Sequence, residues 1–365
     1  MMRIYGHGNC QASAVGWLLR EVRPEWQIKS REVQTFDLSS DEELEQYHVD
    51  IEEADIILAQ PISDGYRGVD TLSLSQIQAR KRPDTGLFIF PSMHFRGYNI
   101  ESFAIGVEGY GLGYDDVHVA DMYASGVSVD ECYDRISSPT FFTRAFVLYE
   151  VMVCLRELIR RETACGAHAR VSSILADKLD QELLFHTFNH PARKSLVGVT
   201  EQLMSAAGVP VTIPVGGMSY LSNIRIMPYP STVIHLGLDP TALPELGQRV
   251  QMHVAMSTFD FVKSAYEQYG NAGRDAVRAA LSQHPQASWY QARFEGSKPL
   301  HCEAFDAASF VESLFHTLLK RHPTSPEVQY WVKMLPSIGP AEVVRRFTAS
   351  AEFQDYHSRV AVGAP

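Results

Sequence analysis

The sequence lacks the features of a membrane or secreted protein. No apolar run approaches the roughly 18 residues that a membrane-spanning helix needs, and the N-terminal Met-Met-Arg-Ile-Tyr does not have the charged-then-apolar pattern of a signal peptide. Positive charge is also scarce, with 32 Lys and Arg against 43 Asp and Glu and a net charge of −11. Because a general nucleic-acid binder needs clustered Lys and Arg, we expect a cytoplasmic protein with no nucleic-acid partner and no transmembrane segment.

Cysteine is infrequent and follows no metal or disulfide pattern. The five cysteines lie at 10, 132, 154, 165 and 302, an odd number without a Cys-x-x-Cys pair, which argues against a disulfide framework or a zinc knuckle. His186 and His190 have the i, i+4 spacing of a zinc pair, but the Glu of a His-Glu-x-x-His motif is missing and Pro191 indicates a helix end. We therefore expect free thiols and no metal.

Apolar runs of strand length alternate with helical stretches in the N-terminal part of the chain. Strands are predicted at 3–5, 32–36, 55–60 and 87–90, and helices at 11–22, 41–47 and 72–81. The last two strands are nearly continuous in apolar residues, as in a parallel sheet covered on both faces. An open, mostly parallel α/β sheet is therefore predicted.

The rest of the chain has a different periodicity. Helices are predicted at 140–161, 171–188 and 192–207, short strands at 209–215, 219–227 and 232–236 form a small antiparallel excursion, and helices follow from about 243. The predicted domains are a catalytic domain at 1–240, a helical connector at 241–300 and a small helical module at 301–365.

The turn after the first strand, Gly6-His7-Gly8-Asn9-Cys10-Gln11, carries a thiol at the predicted start of a helix. A helix N-terminus favours the thiolate and so lowers a thiol pKa, and its amides can hold an oxyanion. The third glycine of a dinucleotide fingerprint and the Gly-Lys-Ser/Thr of a phosphate loop are absent. Cys10 is thus a candidate nucleophile, with a buried inert cysteine as the alternative.

A thiol nucleophile needs a base, usually His. His94 follows a core strand, where a structural role and a catalytic role are equally open. His186 and His190 lie where one helix closes and another begins, and Asp180 or Glu182 could orient one of them. His190 is the favoured base of this pair.

A phosphorylated donor such as coenzyme A would need a local basic site in this acidic chain. We favour Arg67 and Arg96, because both lie beside the proposed site. The other candidates are expected to be solvated surface charges: Arg80, Lys81, Arg82, Arg193 and Lys194.

Four short motifs, in this order and spacing, resemble the WcbI-type polysaccharide biosynthesis acetyltransferases, a bacterial family associated with capsules and other surface glycans. The resemblance covers residues 3 to 240, and its motifs are Gly8-Asn9-Cys10-Gln11, Gln60-Pro61-Ile62, the segment from Pro91 to Tyr98, and Asn189-His190-Pro191.

The resemblance implies an acetyl-CoA donor, a sugar hydroxyl acceptor, Cys10 as nucleophile and His190 as base. The layout is also similar to SGNH-type esterases, an analogy that makes Gln60 and the amide of Cys10 oxyanion donors. The expected oxyanion or substrate contacts are Asn9, Gln11, Gln60, His94 and Asn189. The expected cofactor contacts are Gly8, Arg67, Arg96 and Tyr98.

The segment from Phe310 to Tyr356 resembles a second family, a short helical module of unknown function found in glycan-related bacterial proteins. Its signature is Leu318 to Pro323, Tyr330-Trp331 and Phe347 to Phe353, with Lys320 where the family has Gly. The resemblance implies an interaction or scaffold role with a protein partner.

The prediction is an O-acetyltransferase of surface-polysaccharide biosynthesis, by a covalent acyl-enzyme or by direct transfer. One alternative is an esterase or thioesterase with the same Cys/His site. The other is a non-catalytic scaffold that binds a glycan or a protein.

Overall fold

The computed structural model describes residues 1–107, 113–243, 245–297, 307–315, 319, 321–348 and 350–353. The first elements are β1 (Arg3–Gly8), α1 (Cys10–Val22), β2 (Gln27–Glu32), α2 (Asp41–Glu53), β3 (Ile56–Ala59), α3 (Leu74–Arg80), β4 (Gly86–Ile89), β5 (Ser102–Phe103), β6 (Asp115–Asp116), α4 (Val117–Ala124), α5 (Val129–Ile136), α6 (Arg144–Ala164) and α7 (Val171–Lys178). There follow β7 (Phe185–Thr187), β8 (His190–Pro191), α8 (Arg193–Ala206), β9 (Ile224–Ile226), α9 (Pro230–Leu236), β10 (Gln248–Gln251), β11 (Val254–Ser257), α10 (Thr258–Ala272), α11 (Arg274–Gln283), α12 (Pro285–Ser297), α13 (Ala307–Leu314) and α14 (Ser325–Thr348).

The chain divides into two compact units. Unit 1 comprises 1–94, 156–175 and 189–222, and unit 2 comprises 95–155, 176–188 and 223–365. This division differs from the predicted boundary at residue 240, because segments from the middle of the chain belong to each unit.

Unit 1 is built on a four-stranded parallel sheet with the order β2-β1-β3-β4. The central strands β1 and β3 are buried along nearly all their length, which explains their continuous apolar sequence. The predicted parallel α/β sheet is confirmed. The strand predicted at 32–36 is wrong, because β2 ends at Glu32 and a turn follows.

Helix α1 lies against this sheet and begins directly after β1. The Asn9 side chain accepts a hydrogen bond from the Gln11 N–H and so caps the helix. Val15, Leu18 and Leu19 are buried at helical spacing. Cys10 is therefore the first helical residue at the carboxyl edge of the sheet, where ligands of open α/β folds bind.

Unit 2 contains a three-stranded antiparallel sheet with the order β11-β10-β9 and the short β5–β6 ladder. The predicted antiparallel excursion is confirmed at β9, but the strand predicted at 232–236 is helix α9, started by Pro230 and ended by Gly237 at φ 76°. The β10–β11 hairpin lies where only helices were expected. None of the helices in the described residues is both long and apolar enough to cross a bilayer.

The C-terminal module is described only in part, and Leu318, Lys320, Ala349 and residues 354–356 of its predicted signature lie outside the described residues. Within the described part, the Arg321 guanidinium lies between the carboxylates of Glu327 (2.6 Å) and Glu352 (2.5 Å) and over the ring of Phe315. Trp331 and Phe315 both pack on Phe347. One ion-pair network and one aromatic cluster thus join both ends of α14.

The interior of unit 2 brings three buried carboxyl groups together with three guanidinium groups. Arg96 and Arg293 face Glu150, and Arg249 lies 3.9 Å from Asp116. Among the residues that the structure describes, neither oxygen of the fully buried Glu101 carboxyl has a hydrogen-bond partner, and the β5–β6 ladder brings this carboxyl near Asp116. Burial and then the Asp116 charge raise the pKa of Glu101 to about 8, against a lowering effect of Arg249 and Arg96.

We predict that Glu101→Gln removes a pH dependence of stability. The pKa of Glu101 is about 8 in the folded state and has the ordinary value of 4.5 in the unfolded state. Between these two pH values the folded state holds a proton that the unfolded state releases, so the stability of the wild type falls as pH rises through this window. At about pH 8.5 the variant should be more stable than the wild type, by on the order of 3 kcal/mol. Urea unfolding at about pH 5 and 8.5 measures this.

The control is Glu131→Gln, which changes an exposed carboxylate on α5. It should leave the pH dependence unchanged. An equal slope in the wild type and Glu101→Gln would contradict the prediction.

Candidate active site

The centre of the candidate site is the side-chain amide of Gln11, which is fully buried. Its Nε2 donates to the carbonyls of Met93 (2.8 Å) and Asn189 (2.7 Å). Its Oε1 accepts from the Met93 N–H (2.8 Å) and from Gln60 Nε2 (2.9 Å). Because a primary amide has two donor and two acceptor positions, all four are used.

Gln60 braces the same turn from the end of β3. Its side-chain Oε1 accepts a hydrogen bond from the Asn9 N–H at 2.8 Å, and its backbone N–H donates to the His7 carbonyl. A Cβ at Gly8 would lie 2.4 Å from Gln60 Oε1. Glycine at position 8 therefore serves the approach of Gln60 rather than the expected cofactor contact.

Gln11 does not fit the predicted role of an oxyanion or substrate donor, because both of its N–H donors are used, whereas the predicted role of Gln60 stays a prediction. Each Nε2 hydrogen bond goes to a protein oxygen, and both side chains are buried. The prediction recognised the residues but not their partners, which lie far away in sequence.

Cys10 has a half-buried thiol at the start of α1. Burial and, second, the Glu32 carboxylate raise the pKa of this thiol to about 11. Hydrogen bonds from the N–H groups of Cys10 and Gln11 act in the lowering direction but are outweighed. The expected lowering of the pKa by the helix end is thus wrong, and with this raised pKa the Cys10 thiol is neutral at pH 7.

His190 lies in β8 and is buried. It belongs to unit 1 together with Cys10. The hydrogen bond from Gln11 Nε2 to the Asn189 carbonyl joins the residue after Cys10 to the residue before His190. This link supports the predicted pairing of Cys10 with His190, and it gives Asn189 a positioning contact through its backbone.

The other predicted polar site residues, His186, Asp180 and His94, are divided between the two units. His186, half-buried in β7, and Asp180, exposed just after α7, belong to unit 2. His94 is exposed after β4, and its carbonyl accepts from Arg161 Nη2 at 2.7 Å. His190 therefore remains the candidate base for Cys10.

Arg67 keeps its predicted place near the turn. Its Nη1 donates to the carbonyls of Val33 (3.1 Å) and Phe36 (2.6 Å), and the Val33 N–H donates to the Gly8 carbonyl. Its backbone is left-handed at φ 55°, which is uncommon for a residue other than glycine. Within the described residues its Nε and Nη2 make no hydrogen bond, so they remain available to an anion.

Arg96 and Tyr98 do not fit the predicted cofactor role. The Arg96 guanidinium lies 3.9 Å from the centroid of Phe103 and 3.6 Å from Glu150. The Tyr98 hydroxyl is buried and donates to the carbonyls of Leu179 and Glu182. Both side chains serve the interior of unit 2, because the segment after His94 leaves unit 1.

Two residues near the thiol were missed. Glu32 lies opposite Gly8 in the β1–β2 register, a pairing that a sequence does not show. His7 is fully buried, with Nε2 2.9 Å from the Leu72 carbonyl, and burial lowers its pKa to about 4. Its place between two glycines was the available signal. In the part of the chain that the structure describes, no three His, Cys, Asp or Glu side chains form a metal-binding group.

The fold is a parallel α/β sheet with a cysteine at its first strand-to-helix turn, at the carboxyl edge where ligands of open α/β folds bind. A family model described as polysaccharide biosynthesis enzyme WcbI matches residues 3–212, more than half of the 365-residue chain. The chain belongs to the WcbI family of polysaccharide biosynthesis enzymes. A second model, a domain of unknown function called DUF4214, matches residues 299–357.

A solved structure of WcbI has the same fold, with a TM-score of 0.69 and 19% identity over 80% of this chain and 99% of that one. That protein is described as a novel polysaccharide biosynthesis enzyme, in a native form without a disulfide bond between coenzyme A and one of its cysteines. No curated protein matches this chain significantly.

We predict that Cys10 alkylates slowly at neutral pH. With a pKa raised from 9.0 to about 11, its thiolate fraction at about pH 8 is about 100-fold below that of an ordinary cysteine. Peptide-resolved mass spectrometry of iodoacetamide labelling, as a function of pH, should give an apparent pKa well above 9.0. An apparent pKa below about 8 would show a preformed thiolate instead.

The matched variants are Glu32→Gln and Glu25→Gln. Removing the Glu32 charge should lower the apparent pKa of Cys10, because that carboxylate opposes the thiolate. Glu25 is exposed in the loop before β2, and its variant should alkylate like the wild type.

Proposed function

We propose that this protein is an O-acetyltransferase that moves an acetyl group from acetyl-CoA to a sugar hydroxyl during surface-polysaccharide biosynthesis. The observation that carries the proposal is the Cys10 thiol at the carboxyl edge of the sheet, joined through Gln11 to the segment of His190. Membership of the WcbI family supports the glycan context. The coenzyme A named for the solved WcbI supports the donor.

The raised pKa of Cys10 decides how its thiol would act. A neutral thiol attacks well only when a base takes its proton in the transition state. In the proposed step His190 accepts that proton while Sγ forms a bond to the thioester carbonyl carbon. The carbon–sulfur bond to coenzyme A then breaks, and the proton passes from His190 to the departing thiolate.

The acetyl group is then transferred from Cys10 to the acceptor. The sugar hydroxyl loses its proton to His190 and attacks the acetyl carbon, and Cys10 leaves with that proton. The oxyanion donors are proposed to be the N–H of Cys10, which as the first helical residue has no acceptor within the helix, and Nδ2 of Asn9. Asn9 uses its Oδ1 for the cap, and its Nδ2 makes no hydrogen bond within the described residues.

The donor is proposed to be held through phosphate by Arg67. Two carbonyls fix one nitrogen of the guanidinium, which leaves a planar pair of donors for a phosphate. Arg67 belongs to unit 1, and the proposed phosphate subsite uses no charged side chain of unit 2. The C-terminal module is proposed to bind a protein partner, on the support of its match to a separate helical family.

We predict that acetyl-Cys10 accumulates when acetyl-CoA is supplied without a glycan acceptor. Rapid quenching and peptide mass spectrometry with isotopically labelled acetyl-CoA should find the label on Cys10, and a panel of methyl glycosides should discharge it. Cys10→Ala should lower kcat by at least about 1,000-fold, because the nucleophile is lost. The control Cys154→Ala changes a buried cysteine on α6.

The rivals predict different results. A direct transfer gives no label on Cys10 during a burst of product. An esterase or thioesterase releases acetate at the same rate with or without a glycoside. A non-catalytic scaffold keeps its function in Cys10→Ala.

We predict that Arg67→Met weakens donor binding by about tenfold, which corresponds to about 1.4 kcal/mol. KM for acetyl-CoA should rise while kcat changes little. The KM of acetyl-pantetheine, which has no phosphate, should stay at the wild-type value, because Arg67 is proposed to contact phosphate alone. Arg80→Met, an exposed arginine paired with Glu52, is the control; an equal rise in KM for both donors would reject the assignment.

A further inference from the structure

The feature that the proposed chemistry does not use directly is the pair of buried amides, Gln11 and Gln60. Together they fix the turn after β1, the end of β3, the segment after β4 and the segment before β8. All four segments belong to unit 1. The pair therefore joins the backbone segment that carries Cys10 to the segment that carries His190.

The chemistry of the pair indicates more than filling of the core. Two primary amides are removed from water here, and this is costly unless each polar position finds a partner. Gln11 finds four, and Gln60 uses its Oε1 on Asn9 and its Nε2 on Gln11. All four positions of Gln11 are therefore used, and Gln60 adds one donor and one acceptor. A buried polar network of this kind favours one arrangement of the chain, whereas apolar side chains would tolerate several.

The positions of the bonds indicate what is being fixed. Gln60 holds the N–H of Asn9, which directly precedes Cys10, and Gln11 holds the carbonyl of Asn189, which directly precedes His190. Gly8 lacks a side chain where Gln60 approaches it most closely. A shift in either amide would therefore move the thiol and the imidazole segment relative to each other.

We propose that the Gln11–Gln60 pair is the positioning element of this site, which holds Cys10 in reach of the base at His190. Neither amide contacts the reacting atoms, so both are positioning residues that act through Cys10 and His190. This inference rests on the proposed function for its effect on turnover. Its effect on the reactivity of Cys10 is independent of any substrate.

The test compares Gln11→Met and Gln60→Met with Gln202→Met. Gln202 also braces backbone inside unit 1, through paired bonds with the N–H (2.8 Å) and carbonyl (3.3 Å) of Arg170, but lies on α8 away from the turn. All three variants should be less stable in urea. Only the first two should change the pH profile of Cys10 alkylation in the folded protein, with a lower apparent pKa, because the desolvation that raises it is relaxed.

Turnover gives the second measurement. Gln11→Met and Gln60→Met should each lower kcat by about 100-fold with KM for acetyl-CoA within about threefold, because near-attack geometry is lost while binding is kept. In a His190→Ala background, Gln11→Met should cost less than about threefold, since residues that act as a unit are not additive. Gln202→Met should keep the wild-type kcat.

The outcomes separate the two proposals. An unchanged alkylation profile in folded Gln60→Met, or full additivity with His190→Ala, would overturn the positioning role. Absence of acetyl transfer in the wild type, with the alkylation shift still present, would reject the proposed reaction and keep the positioning role. Should Gln11→Met fail to fold, Gln60→Met carries the test, because it leaves three of the four Gln11 bonds intact.

Discussion

The rest of the candidate site depends on one buried amide. Gln11 stands one residue after the thiol, and its side chain is the partner for backbone groups of two separate segments, at Met93 and Asn189, and for the side chain of Gln60 on a third. Strand ends in a parallel sheet leave polar backbone groups that need such partners. A side chain that supplies them can also set the distances between the residues that flank them.

The second constraint is the competition between burial and the helix end at Cys10. A helix N-terminus offers partial positive charge, but its effect is modest and falls off within a turn. Desolvation of a half-buried sulfur and a carboxylate at Glu32 act against it and prevail. In the proposed mechanism the thiol would therefore need proton removal by the imidazole during the attack, as a serine nucleophile does.

The sequence was sufficient for the fold of unit 1 and for the place of the thiol. Continuous apolar strands, the Gly-rich turn and the helical spacing of Val15, Leu18 and Leu19 are local patterns with one structural solution. Contacts between residues that are far apart in the chain could not be predicted from local patterns. The partners of Gln11 at Met93 and Asn189 are separated from it by 82 and 178 residues, and the opposition of Glu32 to Gly8 depends on strand register.

The differences between prediction and structure at other residues also arise from surroundings that local sequence patterns do not show. Arg96 and Tyr98 follow the same core strand as His94, but the chain passes into unit 2 after His94. In the interior of unit 2 the Arg96 guanidinium forms an ion pair with Glu150. The apolar run at 232–236 suited a strand by composition, whereas Pro230 and Gly237 supply a helix start and stop. Turn chemistry at the ends of a short run was more informative than its hydrophobicity.

Burial also determines which charges the interior can tolerate. His7 in unit 1 has its pKa lowered to about 4, and Glu101 in unit 2 has its pKa raised to about 8. The stability that neutral His7 contributes is complete above the ordinary value of 6.5 and is lost as pH falls toward about 4, whereas that of neutral Glu101 is lost as pH rises through about 8. Between these two limits neither buried group is charged, so the stability contributed by both is retained near neutral pH.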